Sequence, residues 1–418
     1  MAYIPREIES RLTKYLQVPH IIAILGPRRS GKTTLIQHLE AQLPNSCYLS
    51  FEDHKTLALF DNDIDSFIEL YIKKHDYIFL DEFHYAREGG KRLKYIFDFY
   101  PGKKIFLSGS SALEITIKAA KQLVGRIISF SLFPFSFREF LLARQPDLIP
   151  LFEQREIPPE SPLHKQLFTL WEEYLLFGGY PEVVLQSDWE VKIKLLEGIY
   201  NTYLLREVRD ILGLIDEYKY TRLMTALALQ IGNLVNFAEL SQISGYEYRT
   251  LKQRLNVLEK TYIVSLLHPF YRNKRLEIVK NPKVFFFDTG LRNYVIDNFQ
   301  RLELRTDKGS LCENYVWGVL HRIGIKHYFW RTKSKVELDF VIEKSGQLIP
   351  IEVKCNPYGS KLPRAFHSFH QKYTFGKGFL LNLSAERRTR KINSSTIEYL
   401  PIYALELRPE FSGTLTES

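Results

Sequence analysis

The feature that most constrains this sequence is a phosphate-binding loop placed between an apolar strand and a helix. The apolar segment 21–25 leads directly into Gly26-Pro27-Arg28-Arg29-Ser30-Gly31-Lys32-Thr33, which fits GxxxxGK[ST] and is followed by a helical stretch. Glycines let backbone amides curve around phosphate oxygens, and the helix N-terminus adds a positive dipole. Lys32 is expected to reach the outer phosphates and Thr33 to hold magnesium. The loop predicts a site for ATP and Mg²⁺ made by Gly26, Pro27, Arg28, Arg29, Ser30, Gly31, Lys32, Thr33 and Thr34.

Two further apolar segments end in polar side chains suited to nucleotide hydrolysis. The segment 77–80 is followed by Asp81 and Glu82. We expect Asp81 to hold magnesium and Glu82 to position or deprotonate water. The segment 104–107 is followed by Ser108, which is predicted to sense the γ-phosphate. A simple turn is the alternative for Ser108, because serine and glycine are ordinary turn residues.

Hydrolysis at such sites often needs an arginine that neutralises charge in the transition state. Arg126 is the candidate, acting in its own or a neighbouring subunit, and a structural salt bridge is the alternative. Arg28 and Arg29 are weaker candidates, for which solvated or subunit-contacting charges are the preferred interpretation.

Alternation of short apolar segments with amphipathic stretches, up to about residue 145, predicts an α/β domain with a mostly parallel sheet. The expected strands are 21–25, 47–51, 77–80, 104–107 and 127–131. The 418 residues suffice for several domains at roughly 100 to 200 residues each. We predict an ATPase core (1–145), a helical lid (146–215), a winged helix-turn-helix (216–300) and a nuclease-like domain (301–418).

Composition bears on compartment and partners. Three cysteines, Cys47, Cys312 and Cys355, are too few and too scattered for a disulfide framework. The N-terminus lacks the apolar core of a signal peptide, and no stretch has the roughly 18 apolar residues of a membrane span, so we expect a cytoplasmic protein without membrane contact. The formal charge of +9 mildly favours polyanionic partners.

The chain resembles the AAA-type ATPases of bacteria and archaea that carry an uncharacterised C-terminal domain. The resemblance rests on segments spread over nearly the whole chain, which are 4–6, 26–34, 80–82, 108–110, 125–126, 178–182, 286–291 and 350–354. It implies assembly into a homo-oligomer, such as a hexameric ring, because AAA-type sites commonly complete one another across subunits.

The segment 236–260 has the pattern of a helix-turn-helix. Asn236 and Glu239 form a candidate capping box, and Gly245 separates the two predicted helices. The segment 262–267 and the cations Arg272, Lys274 and Arg275 are predicted to form a wing. The exposed face of the second helix should contact DNA through Arg249, Lys252, Gln253 and Asn256. The alternative is a lid or interaction module.

The C-terminal part resembles the PD-(D/E)XK motif of restriction-endonuclease-like folds. The expected order is a helix (308–323) with Glu313, strands at 327–331 and 335–342 with Asp339, and a strand at 347–354 ending in Glu352-Val353-Lys354. Strand periodicity places Glu337 and Asp339 on one face, and Glu352 and Lys354 on one face. Asp339 and Glu352 would hold Mg²⁺ or Mn²⁺, Lys354 would stabilise phosphate charge, and Glu313 would complete the site. The alternative is a degenerate nuclease fold, because leucine precedes Asp339 where the motif name has proline.

These features predict an Mg²⁺-dependent ATPase that binds DNA and couples ATP hydrolysis to DNA remodelling or cleavage by the C-terminal nuclease domain. The expected biological process is DNA repair, recombination or defence against foreign DNA. The alternative function is a nucleotide-dependent regulatory switch or binding module with an inactive nuclease fold.

Overall fold

A computed structural model of the chain describes residues 3–109, 123–153, 161–204, 216–273, 275, 277, 280–355, 362–384 and 387–407. The first part contains a five-stranded sheet in which all the strands are parallel, in the order β2-β3-β4-β1-β5. The strands are β1 (Ile21–Leu25), β2 (Ser46–Ser50), β3 (Tyr77–Asp81), β4 (Lys104–Gly109) and β5 (Ile127–Ser131). The predicted α/β fold with a parallel sheet is confirmed.

Helices cover both faces of this sheet. Ile22 and Ile24 point into one apolar core, whereas Ile21, Ala23 and Leu25 point into the other, as the two-residue period of a strand requires. The helices are α1 (Glu9–Lys14), α2 (Lys32–Gln42), α3 (His54–Asn62), α4 (Ile64–Phe67) and α5 (Gly89–Phe99).

A group of helices follows the sheet. Ser136 and Glu139 form a capping box at the start of the first of them, and Ser161 caps another that has Pro162 in its first turn. The helices are α6 (Phe137–Arg144), α7 (Ile149–Glu153), α8 (Pro162–Phe177), α9 (Pro181–Val184) and α10 (Trp189–Gly198).

The predicted helix-turn-helix segment forms two helices with a turn between them. The Asn236 side chain accepts hydrogen bonds from the amides of Ala238 and Glu239, and Gly245 ends the first helix at a φ of 73°. A two-stranded antiparallel sheet of β6 and β7 follows. The elements are α11 (Glu217–Leu229), α12 (Phe237–Ser244), α13 (Tyr248–Lys260), β6 (Val264–Leu267), β7 (Lys283–Phe286) and α14 (Thr289–Val295).

The segment predicted to form a wing differs in detail from the expectation. Its first strand starts at Val264, because Tyr262 has a φ of 58° and cannot join the strand. Arg272 lies over the ring of Tyr373 in the C-terminal part, so that part of the loop packs on protein. Lys274 lies outside the described residues.

The C-terminal part is a six-stranded mixed sheet in the order β12-β13-β11-β10-β9-β8, with one helix before it and one between β10 and β11. These elements are α15 (Lys308–Arg322), β8 (His327–Arg331), β9 (Glu337–Lys344), β10 (Gln347–Lys354), α16 (Arg364–His370), β11 (Lys377–Asn382), β12 (Arg388–Ile392) and β13 (Ser395–Pro401). Short helical turns lie at Ile68–Ile72, Phe83–Tyr85, Pro146–Leu148, Ile199–Leu204, Leu302–Leu304 and Ile402–Leu407.

A β-bulge interrupts β9 at Asp339. Tyr328 pairs with Val341 but Trp330 pairs with Leu338, so two residues of β9 face one residue of β8. Leu338 therefore packs in the core beneath α16, whereas Phe340 packs in the core against α15. The predicted alternation therefore breaks after Leu338, but Glu337 and Asp339 both lie near the Lys283 ammonium of β7.

One buried apolar core extends from Phe135 to Leu405 and includes the helical group and the inner face of the C-terminal sheet. It also includes α11–α13 with β6 and β7, which are called the winged unit after that prediction, with β7 as the wing strand. The domain boundaries given above stay predictions. Among the described residues, no helix has the length and apolar character needed to cross a bilayer.

Candidate functional site

The phosphate-binding loop has the backbone that its glycines permit. Gly26 has a φ of 155°, and a Cβ there would lie 2.1 Å from the Leu132 carbonyl oxygen. Gly31 has a φ of 93° and stands directly before α2. The buried Lys32 ammonium donates to the carbonyls of Gly26 and Pro27, at 3.1 and 2.8 Å. The lysine charge thus lies inside the loop, where phosphate oxygens would compete with those carbonyls.

The Ser30 side chain and the first turn of α2 complete the loop. The Ser30 hydroxyl is buried and has no hydrogen-bond partner among the described residues. Thr33 is partly buried and Thr34 is exposed. A bound polyphosphate would fit this arrangement, which combines an unpaired buried hydroxyl, a lysine held only by carbonyls and a helix N-terminus.

Arg6 braces the loop from outside and was not assigned a role from the sequence. Its buried guanidinium donates to the Ser30 carbonyl at 2.8 Å, to the Phe133 carbonyl at 2.7 Å and to Glu139 at 3.0 Å. No local pattern links Arg6 to the loop, because its partners lie 24, 127 and 133 residues away. The contact ties the loop to the segment after β5 and to α6.

The predicted hydrolytic residues lie together at the carboxyl edge of the sheet. The Ser108 hydroxyl donates to Asp81 and accepts from the Glu82 amide, the latter at 3.1 Å. Tyr48, which sequence reasoning missed, donates to the other Asp81 oxygen at 2.7 Å. The sequence held a usable signal for Tyr48, since it lies in the predicted strand 47–51, which directly precedes the Asp81 strand in the chain. Both oxygens of the predicted magnesium ligand are therefore oriented by hydroxyls.

Glu82 occupies an unusual backbone position. Its φ of 52° is left-handed, a strained conformation for glutamate that is often found at functional sites. Its carboxylate lies 3.0 Å from the His84 ring. Burial raises the Glu82 pKa, but His84 and the positive charges of Lys32 and Arg28 outweigh it, and the net pKa is lowered. Glu82 is thus held ionised close to the loop lysine, as a water-orienting base requires.

Arg126 lies far from the loop of its own chain. It precedes β5, and its carbonyl accepts from Ile21 at the start of β1, whereas the loop follows the end of β1. Four residue steps along a strand separate these edges by about 13 Å. Its guanidinium pairs with Asp98 at 2.8 Å. The geometry excludes action of Arg126 at the loop of its own chain. Its remaining roles are the structural ion pair or action at the site of a neighbouring subunit.

Arg28 and Arg29 have different charged neighbours. Arg28 contributes to the low pKa of Glu82, so its charge is close to the hydrolytic group. Arg29 pairs with both carboxylate oxygens of Glu182 at 2.7 Å, in the segment 178–182. The Arg29 side chain is 43% exposed, so this ion pair is solvated, and the interpretation of Arg29 as a solvated or subunit-contacting charge stays a prediction.

The predicted DNA-reading face is present as a surface. Arg249, Lys252, Gln253 and Asn256 are all exposed on α13, while Leu251 and Leu255 are buried. The Lys252 ammonium lies over the ring of Tyr248, 4.8 Å from its centroid. The face combines positive charge with hydrogen-bonding groups.

The predicted C-terminal site residues come together on β9 and β10. The Lys354 ammonium lies 2.6 Å from Glu352, and the Val353 amide donates to Asp339 at 2.8 Å. Asp339 and Glu352 are buried, and one Glu352 oxygen has no hydrogen-bond partner among the described residues. Burial, reinforced by Asp339, raises the Glu352 pKa to about 8. Burial also raises the Asp339 pKa.

Glu313 reaches the same cluster from α15, and two unassigned residues join it. Burial and the Asp339 charge raise the Glu313 pKa to about 8, although Lys283 opposes this. Lys283 of β7 lies 3.2 Å from Glu313 and 2.5 Å from Glu337. Nothing in the apolar segment around Lys283 pointed to a charged partner. These carboxyls hold protons near neutrality because they are buried close together, and a metal ion that bound them would displace those protons.

Within the described ranges, no group of three or more histidine, cysteine, aspartate or glutamate side chains is arranged to hold a metal ion. A metal at Asp339 and Glu352 would therefore need further ligands, such as backbone carbonyls, water or substrate oxygens.

Three segments of the chain match known protein families. Residues 18–141 match the family described as "AAA domain". Residues 168–302 match "Domain of unknown function (DUF8612)", and residues 308–405 match "Domain of unknown function (DUF4143)".

Relatives along most of the chain are uncharacterised proteins. One from Haemophilus influenzae is 26% identical over 84% of this chain and 85% of its own length. One from Methanocaldococcus jannaschii is 26% identical over 84% of this chain and 78% of its own length. Among solved structures, a Walker-type ATPase of Pyrococcus abyssi is 16% identical, with a TM-score of 0.47 over 70% of this chain and 96% of that chain. The family match and the loop geometry make residues 18–141 a P-loop domain of the AAA type.

Proposed function

We propose that this protein is an Mg²⁺-dependent ATPase that binds DNA and couples ATP hydrolysis to DNA remodelling or cleavage at its C-terminal carboxylate site. The observation that carries the ATPase part is the convergence of Lys32, Asp81 and Glu82 at one sheet edge, where the Ser108 hydroxyl bonds the Asp81 carboxylate and the Glu82 backbone amide. The DNA and cleavage parts rest on the exposed α13 face and on the Asp339, Glu352 and Lys354 cluster.

Each residue of the nucleotide site has a distinct task in this proposal. Lys32 binds the outer phosphates, and Thr33 and Asp81 hold Mg²⁺, which neutralises phosphate charge. Glu82 accepts hydrogen bonds from the attacking water and orients it. Ser108 moves its hydrogen bond from Asp81 towards the γ-phosphate, so that it reports the nucleotide state to the Glu82 backbone.

A continuous set of contacts supports coupling between the two sites. Arg29 of the loop pairs with Glu182, and the Gly179 amide beside it donates to Asp288 at 2.8 Å. Two residues before Asp288, the backbone of Phe286 exchanges two hydrogen bonds with Asn314, the neighbour of Glu313 on α15. Nucleotide-driven movement of the loop would reach the carboxylate cluster through these contacts.

The ATPase part is tested by steady-state turnover of purified full-length protein. Lys32→Ala should lose nucleotide binding, and Glu82→Gln should bind ATP but turn it over at least about a hundredfold more slowly. The exposed Lys55→Ala is the matched control and should behave as the wild type. Normal turnover in Glu82→Gln would refute the assignment of the base.

The DNA part is tested with linear, forked and four-way junction DNA, with Mg²⁺ or Mn²⁺, with and without ATP. Cleavage should vanish in Asp339→Ala and Lys354→Ala but persist in the exposed control Lys333→Ala. Cleavage that survives Lys354→Ala would point to a contaminating nuclease. Turnover that no DNA changes would count against coupling.

A second candidate is a nucleotide-dependent switch that recognises a partner without cutting. The observation favouring it is that the Lys283 ammonium already lies among the carboxylates. This candidate expects ATP-dependent partner binding that survives Lys354→Ala, with intact DNA under every condition.

A further inference from the structure

Lys283 is a buried cation that the winged unit places in the carboxylate cluster of the C-terminal part. Its side chain is 3% exposed, and its ammonium contacts Glu313 and Glu337, which lie on α15 and β9. A charge so deeply buried is costly unless it is paired, so Lys283 and these acids depend on one another.

Backbone contacts hold the segment after β6, the partner strand of β7, on the C-terminal sheet. The Phe270 amide donates to the Phe329 carbonyl at 2.6 Å, and the Phe329 amide donates to the His268 carbonyl at 3.3 Å. Phe329 is the β8 residue that faces the bulge at Asp339. The wing is therefore docked on the edge of the sheet directly beside the predicted metal ligand.

A glycine turn closes the other side of the contact. The Gly232 amide donates to the Val284 carbonyl at 2.9 Å, next to Lys283. Gly232 has a φ of 71°, and a Cβ there would lie 3.3 Å from a Glu313 oxygen. Only glycine lets this turn approach Glu313 without pushing it away.

The charges of the cluster are nearly balanced while the wing is docked. Glu313, Glu337, Asp339 and Glu352 are faced by the cations Lys283, Arg331 and Lys354. A divalent ion entering this set would meet an ammonium that already neutralises two of the acids.

We propose that Lys283 is an internal competitor for divalent metal, so that the carboxylate site binds metal at full affinity only when the Lys283 ammonium leaves Glu313 and Glu337. The inference rests on the proposed metal-dependent site and names its regulation. Withdrawing this one positive charge switches the site on, while the strand that carries Lys283 stays in the shared apolar core.

The test is Mn²⁺ binding to the full-length protein without nucleotide, measured from the electron paramagnetic resonance signal of free Mn²⁺. Lys283→Met keeps the apolar stem but removes the charge, and it should lower the Mn²⁺ dissociation constant at least about tenfold, because a unit charge a few ångström away has a larger effect than that at an effective dielectric constant of about 20. Lys283→Arg and the exposed control Lys280→Met should bind as the wild type. Adding Asp339→Asn to Lys283→Met should abolish the gain.

Gly232→Ala provides a second route if Lys283→Met fails to fold. It weakens wing docking while keeping the lysine, and it should also tighten Mn²⁺ binding. The inference is overturned if the wild type binds Mn²⁺ through Asp339 and whichever of these variants folds binds Mn²⁺ no more tightly than the wild type. The proposed metal site is then retained. Absence of Mn²⁺ binding by every variant removes both the inference and the metal site, while Lys32→Ala still judges the ATPase separately.

Discussion

Replacing Arg6 by methionine tests whether a residue far from the phosphate-binding loop holds that loop in shape. The substitution keeps an apolar stem of similar length but removes the guanidinium. It leaves the Ser30 and Phe133 carbonyls without their donor and the Glu139 carboxylate without its counter-charge. Arg6 and Glu139 are almost completely buried, with side-chain exposures of 4% and 5%, so water cannot fully replace these contacts.

The expected cost follows from these three partners. An orphaned buried carbonyl costs about 1 to 3 kcal/mol, and breaking a buried ion pair on one side costs about 3 to 5 kcal/mol. Glu139 keeps two amide donors, from Glu7 at 2.8 Å and from Ser136 at 2.9 Å. Because of these donors, and because the contact to the Phe133 carbonyl is only partly buried, we expect a loss of about 3 to 5 kcal/mol in the free energy of unfolding, below the sum of the separate costs.

Urea unfolding followed by circular dichroism measures this loss, and ATP titration measures the effect on the loop. The KM for ATP should rise because the Ser30 carbonyl is free to move. Lys14→Met removes an exposed cation from the neighbouring α1 and should change stability by less than about 0.5 kcal/mol. An Arg6→Met protein with the unfolding midpoint and KM of the wild type would refute the bracing role.

Three further predictions concern other parts of the fold. Ser108→Ala removes the hydroxyl that links the Asp81 carboxylate to the Glu82 amide, and it should slow ATP turnover roughly tenfold to a hundredfold with little change in ATP affinity; a lower affinity with normal turnover would contradict this. Gly290→Ala places a Cβ 2.0 Å from a backbone carbonyl oxygen and should cost about 3 kcal/mol or more in urea unfolding, whereas Gly309→Ala, which meets nothing within 4 Å, should be tolerated. Burial, with smaller contributions from two nearby basic groups, lowers the His321 pKa to about 4. Because the pKa of this histidine is about 6.5 in the unfolded chain, the unfolded chain binds one proton more than the folded protein between pH 6.5 and 4. The free energy of unfolding should therefore fall by up to about 3 kcal/mol as the pH drops through that window, and it should not depend on His321 above pH 7. Urea unfolding of His321→Phe should lack this part of the pH dependence.

The nucleotide-binding domain could be predicted in detail because its signals are local. An apolar strand, a glycine loop and a helix are adjacent in the chain, so Gly26, Gly31 and Lys32 specify their own arrangement. The carboxyl ends of parallel strands meet at one edge, which is why Asp81 and Ser108 could be expected to lie near the loop. The Asn236 cap and the Gly245 turn were likewise readable from residues a few positions apart.

Contacts between distant segments were decided only by the tertiary structure. The guanidinium of Arg6 binds the loop, and the ammonium of Lys283 enters the carboxylate cluster, through docking of surfaces that no local pattern encodes. The bulge at Asp339 arises from the pairing of β8 with β9, and it overrode the alternation that the strand sequence predicted. The sequence by itself thus determined which chemical groups each unit carries, since local backbone preference and periodicity depend on near neighbours. Which of these groups meet depended on long-range packing and on the burial of charge, which act only once the chain is folded.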